Sequence, residues 1–112
     1  MAADRAGEDE RIMFQFFEKR PDLNEGVQMW KDTPGSVLLD VRTREEFIDG
    51  HVPGSINLPL EQLAEIDIPK QTPLFVYCHS GNRSGQAAAW LVRQGYTATN
   101  VGGIIEYSGI LE

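Results

Sequence analysis

A single cysteine, Cys78, stands among the 112 residues, so no internal disulfide can form. With His51 and His79 it offers three soft ligands, short of the four that close a structural zinc site, and neither metal nor cofactor is expected. No apolar run approaches the roughly 20 residues that cross a bilayer, and no stretch resembles a signal peptide. A soluble chain in a reducing, cytoplasmic compartment is the resulting expectation. Basic residues are also scarce: 10 Lys and Arg face 17 Asp and Glu, a net charge of −7. That balance argues against nucleic acid and against anionic membrane surfaces as partners, because both reward clustered Lys and Arg. Acidic residues have their own gap. None occurs between Asp67 and Glu106, a stretch that holds Lys70, Arg83, Arg93 and the cysteine. A sequence neighbourhood without carboxylates suits a site for a thiolate or an anionic substrate, and equally suits buried strand and helix.

What the chain does have is an apolar run, Leu74-Phe75-Val76-Tyr77-Cys78, that leads into His79-Ser80-Gly81-Asn82-Arg83-Ser84-Gly85. Five apolar or aromatic residues behind Pro73 predict a strand buried on both faces of a parallel sheet. Gln86 to Gln94 carries Ala87, Trp90 and Leu91 at helical spacing, and Gly95 supplies a left-handed stop. Cys78 therefore falls between the carboxyl end of a strand and the amino end of a helix, the crevice where open α/β sheets bind ligands. Unpaired N–H groups there, backed by the helix dipole, favour an anion. A thiol with pKa near 8.5 is only a few per cent ionised at neutral pH, and lowering it by about two units, roughly 2.7 kcal/mol, makes it mostly thiolate. A lone cysteine can also be a small buried hydrophobe. The glycine, polar run and arginine that follow Cys78 point instead to a reactive thiol.

At 41% hydrophobic, the chain is long enough for one domain that buries about two-thirds of its unfolded surface. Residues 1–11 are polar and mostly acidic and predict a flexible terminal segment, with the domain proper over 12–112. Phe14, Phe16 and Phe17 form an apolar cluster suited to docking on the core. Pro21 to Glu25 predicts a helix start, with Val27 and Trp30 on its apolar face and Pro34-Gly35 beyond its end. Val37 to Val41 reads as a second buried strand. Thr43-Arg44-Glu45-Glu46 has capping-box spacing and predicts a short helix through Phe47. His51-Val52-Pro53-Gly54 predicts a turn, Ser55 to Leu58 a short strand and Leu60 to Ile66 a short helix. Thr97 to Val101 is the last predicted strand, and Gly102-Gly103 is expected to open the tail. Trp30 and Trp90 are expected in the core. Strands alternating with helices define the α/β class, a parallel sheet with right-handed crossovers.

Four ordered motifs together resemble the rhodanese-like domain: Leu39-Asp40-Val41-Arg42 followed by Glu45-Glu46-Phe47; Gly50 through Asn57; Cys78 through Ser84; and Gly95-Tyr96 with Val101-Gly102-Gly103. The resemblance runs from about Asp22 to Tyr107 and implies a single α/β domain, its parallel sheet flanked by helices on both faces. It implies a sulfurtransferase in which Cys78 takes up sulfane sulfur as a persulfide and passes it on. His79, Ser80, Gly81, Asn82 and Arg83 would surround the sulfur with N–H groups, and Ser84 would begin the next helix. Donors of this kind are small sulfur-containing anions such as thiosulfate, polysulfides or persulfides. With no second cysteine, the sulfur must leave to an external thiol, to cyanide or to a partner protein. Arg83 could bind a substrate anion or pair with a carboxylate and hold the loop's shape. Asp40 and Arg42 are expected to support the scaffold, and His79 to add charge or a hydrogen bond near the sulfur.

Two rival readings stand beside this one. Cysteine-dependent phosphatases and arsenate reductases share the order strand, Cys loop, Arg and helix, but resemble one another in a loop one residue longer. Four residues separate Cys78 from Arg83. A tighter loop leaves less room for a tetrahedral oxyanion, and only Asp40 and Asp67 offer themselves as a general acid. The other rival is a non-catalytic module that senses persulfide or docks a partner.

Overall fold

In the computed structural model the described residues are 20–112; the proposed flexible segment 1–11 and the Phe14, Phe16, Phe17 cluster lie outside them. Helix α1 spans Leu23–Lys31, and Asp22 caps it by accepting the Glu25 N–H at 3.0 Å while Glu25 reaches back to the Asp22 N–H. Strand β1 follows at Val37–Asp40, then α2 at Arg44–Asp49, the short strand β2 at Ile56–Asn57 and a 3-10 helix at Leu60–Glu65. Strand β3 is Leu74–Cys78, α3 is Asn82–Arg93 and β4 is Ala98–Gly103, with a final 3-10 turn at Ile104–Glu106.

All strand pairs among the described residues are parallel, in the order β2-β1-β3-β4. The central strand β3 is buried throughout, as its continuous apolar run requires. Period-two alternation sends Leu74, Val76 and Cys78 to one face and Phe75 and Tyr77 to the other. The first face packs with Leu39, Val41, Ala87 and Leu91 under α3 and the 3-10 helix. The second packs with Leu23, Val27, Leu38 and Val101 under α1. Helices thus cover both faces, as anticipated. Trp90 is half-buried against the first core and Trp30 against the second.

Boundaries differ from expectation in several places. Helix α3 begins at Asn82, four residues ahead of its apolar periodicity, because its first turn is the polar loop itself. Ser84 is therefore the third helical residue rather than the first. Gly102 and Gly103 close β4 instead of opening a tail, and a register shift between Val76 and Cys78 brings Cys78 level with Gly103. The segments read as Ser55–Leu58 and Leu60–Ile66 are a two-residue strand and a 3-10 helix ending at Glu65.

Candidate active site

The carboxyl ends of β1 and β3, the central pair, meet the amino end of α3 at a crevice, and Cys78 is the last residue of β3. Its side chain is 1% exposed, more covered than a freely open nucleophile. It belongs to the core cluster that includes Leu39, Val41, Val76 and Ala87, and polar groups of the loop and of α3 reach its sulfur. Gly81 donates its N–H to Cys78 Sγ at 3.0 Å, and the Ser84 hydroxyl lies 3.3 Å from the same sulfur. Burial alone would push the thiol up. The Ser84 hydroxyl and the N–H groups of Ser84, Gly81 and Ser80 outweigh it and hold Cys78 below its ordinary value.

The chain reverses into α3 at Gly81, whose φ of 105° lies in the left-handed region that glycine enters without strain. The loop then rests on β4. A Cβ at Gly103 would run into the His79 carbonyl and the Ser80 Cα, so only a glycine lets β4 approach this closely. The Ile105 N–H donates to the His79 carbonyl at 3.2 Å, while the His79, Ser80 and Asn82 side chains are exposed.

Asn100 in β4 was not singled out in the sequence, yet it ties the loop down. Its Nδ2 donates to the Gly81 carbonyl at 3.2 Å, and its Oδ1 receives the Gly102 N–H at 3.0 Å and the Ser84 hydroxyl at 2.7 Å. A polar residue inside a strand, where Asn is disfavoured, was the available signal.

Arg83 turns away from the cup to Glu46, the capping-box residue of α2, with bonds of 2.7 and 3.0 Å. Arg83 holds the Glu46 carboxyl down at about 2, helped by the Thr43 N–H and hydroxyl against a smaller opposing effect of burial. Asp40, wholly buried, accepts the Arg42 backbone N–H, Nε and Nη2 at 2.7 to 3.1 Å, and Nη2 also donates to the Gly50 carbonyl at 2.7 Å. Both oxygens are engaged, so Asp40 is not free to act as a general acid, and Asp67 is exposed beyond the 3-10 helix. The gap in acidic residues from Asp67 to Glu106 holds along the chain but not in space, since Asp40 and Glu46 are brought in by β1 and α2. Beside Arg83 lies a hollow of about 210 Å³ walled by Val41, Thr43, Pro59, Leu60, Glu61 and Arg83. Among the described residues no group of three or more His, Cys, Asp or Glu side chains is arranged to hold a metal ion, and no helix is long and apolar enough to cross a membrane.

A parallel α/β domain with a cysteine at a strand's end, beside the first turn of the next helix, defines a class of domains that present a thiol at the carboxyl edge of the sheet. The chain belongs to the rhodanese-like domain family, whose model matches residues 23–108. It is 39% identical over 85 residues to a sulfurtransferase of Allochromatium vinosum, covering 72% of this chain and 79% of that protein. To the thiosulfate sulfurtransferase GlpE of Pseudomonas syringae it is 43% identical over 67 residues, covering 56% of this chain and 61% of that one. It spans only a fifth of the adenylyltransferase and sulfurtransferase uba4 of Ogataea parapolymorpha, at 38% identity over 63% of this chain. Among solved structures, a rhodanese-related protein of Thermoplasma volcanium superposes with a TM-score of 0.67 at 30% identity, covering 78% of this chain and 93% of that chain.

Proposed function

We propose that this protein is a rhodanese-type sulfurtransferase in which Cys78 carries sulfane sulfur as a persulfide. The observation that carries the reading is the Gly81 N–H at 3.0 Å from Sγ, with the Ser84 hydroxyl behind it, at the amino end of a 12-residue helix. Such donors suit a sulfur that is anionic before loading and bears an anionic neighbour afterwards. In the first half-reaction the Cys78 thiolate attacks the sulfane sulfur of a donor such as thiosulfate, a polysulfide or a persulfide. A Cys78–sulfur bond forms, the donor's sulfur–sulfur bond breaks, and sulfite, the shortened polysulfide or the parent thiolate leaves with the electron pair. In the second, a thiol, cyanide or a partner protein's thiol attacks the outer sulfur, and the Cys78 thiolate is restored. Arg83 then acts mainly as a positioning residue, because its guanidinium is engaged by Glu46.

The cytoplasm, with its reduced thiols, is the compartment this chemistry fits, and residues 12–112 are proposed as the domain that performs it. The test is intact-mass measurement after incubation with thiosulfate, with polysulfide and with an aryl phosphate in separate arms. Gain of one sulfur atom, lost in Cys78→Ser, is expected. Phosphate release without sulfur gain would favour the phosphatase reading, and neither change would favour a sensing or docking module.

A further inference from the structure

The Ser84 hydroxyl has one proton and three acceptors within reach: Asn100 Oδ1 at 2.7 Å, Cys78 Sγ at 3.3 Å and the Gly102 carbonyl at 3.3 Å. Ser84 is wholly buried, so water does not compete for that proton. We propose that Asn100 is a positioning residue that sets the acidity of Cys78 by competing with its sulfur for the single proton of Ser84. This deepens the reading of Cys78 as the reacting sulfur and rests on it.

The allocation follows from the strengths of the acceptors. A neutral thiol is a weak acceptor, and an amide oxygen 0.6 Å nearer takes the proton from it. A thiolate accepts a charge-assisted bond about twice as strong as a neutral one, and in a dry site the hydroxyl turns to it. Ionising Cys78 therefore costs the Ser84–Asn100 bond. Once loaded, Sγ is a neutral sulfur joined to a charged outer one, and the proton returns to Asn100. Asn100 also accepts the Gly102 N–H and donates to the Gly81 carbonyl, two bonds independent of Ser84 that hold its oxygen in place as the proton changes hands.

Among the described residues, the charged groups around the cup are Arg83 with Glu46 from α2, Arg42 with Asp40 at the end of β1, and Arg20, whose guanidinium packs against Gly81 and Gly102 and faces Glu106. His79 is the loop's own titratable residue. All remain in place in the test. The rate of iodoacetamide alkylation of Cys78 is followed against pH in the full-length wild type, Asn100→Leu, Ser84→Ala and the double variant. Removing the competing acceptor should shift the midpoint of Asn100→Leu downward, giving roughly fivefold more thiolate at a pH below it, the worth of one neutral hydrogen bond. Ser84→Ala should shift it upward, and adding Asn100→Leu to Ser84→Ala should change nothing further. An unchanged or raised midpoint in Asn100→Leu, or the same downward shift without the Ser84 hydroxyl, overturns the proposal. Should Asn100→Leu fail to fold, the wild type decides: the Asn100 side-chain carbonyl carbon should titrate with Cys78 and cease to do so in Ser84→Ala, and a flat signal in the wild type overturns it. Sulfur loading is scored separately by mass, so a protein that shows these shifts but gains no sulfur refutes the transferase and leaves the role of Asn100 standing.

Discussion

Arg83 and Glu46 are joined by two parallel bonds, Nη1 to Oε1 at 2.7 Å and Nη2 to Oε2 at 3.0 Å, and the same Oε1 receives the Thr43 N–H at 3.0 Å. One carboxylate thus starts α2 and anchors the first turn of α3. Bidentate pairing fixes the guanidinium plane as well as its distance, which a lysine could not reproduce.

If Arg83 acts by shaping the loop, Glu46→Gln and Arg83→Ala should slow sulfur loading by similar factors, roughly five- to tenfold, and the double variant should be little worse than either. Loading rates from quenched mass measurements check this. A large loss in Arg83→Ala with a normal Glu46→Gln would move Arg83 to the substrate.

The same pair predicts how stability follows pH. Glu46 is held down to about 2, below its unfolded value, so its contribution is complete above about 4.5 and is lost as pH falls through about 2. Both side chains are about one-third exposed, so solvent screening reduces the contribution to the order of 1 kcal/mol. Urea unfolding should show Glu46→Gln less stable than wild type by that amount at pH 6, with the gap narrowing towards pH 3.

Asp40 and Arg42 form a different kind of pair, with side chains 0% and 5% exposed. Asp40→Ala would leave a buried guanidinium without its counter-charge, and a loss of about 3–5 kcal/mol is expected. Unfolding midpoints that stay within error of wild type would show the pair to be dispensable.

Gly103→Ala places a methyl group against the His79 carbonyl and the Ser80 Cα, both backbone atoms that can yield only by moving the loop. Overpacking of about 1–3 kcal/mol and a marked fall in loading should appear together. Gly35, in a turn open to solvent, is a control: a Cβ there meets nothing, and Gly35→Ala should leave loading unchanged despite some strain at its φ of 78°.

Much of the fold was legible because its signals are local. The run from Leu74 to Cys78 specifies a strand covered on both sides, and Asp22 and Thr43 announce their helices by capping chemistry that needs only three residues of separation. The start of α3 was hidden because polar loop residues carry no helical periodicity, and the Gly102-Gly103 pair resembles a turn although the close approach of β4 to His79 and Ser80 is what requires glycine at 103. The cysteine and its loop were evident from sequence. Glu46 as the partner of Arg83 was not, since 37 positions separate them and the carboxylate was already accounted for by its cap. Asn100 was missed for the same reason: its meaning comes from Gly81 and Ser84, which only folding brings to it.

The cup is built largely of peptide groups, while the His79, Ser80 and Asn82 side chains face outward. If Cys78 carries sulfur, holding its charge and choosing its visitors become separate tasks on one short stretch of chain. Mutation can redraw the outer rim, and with it the clientele, while the inner wall of amides retains its grip on the chalcogen.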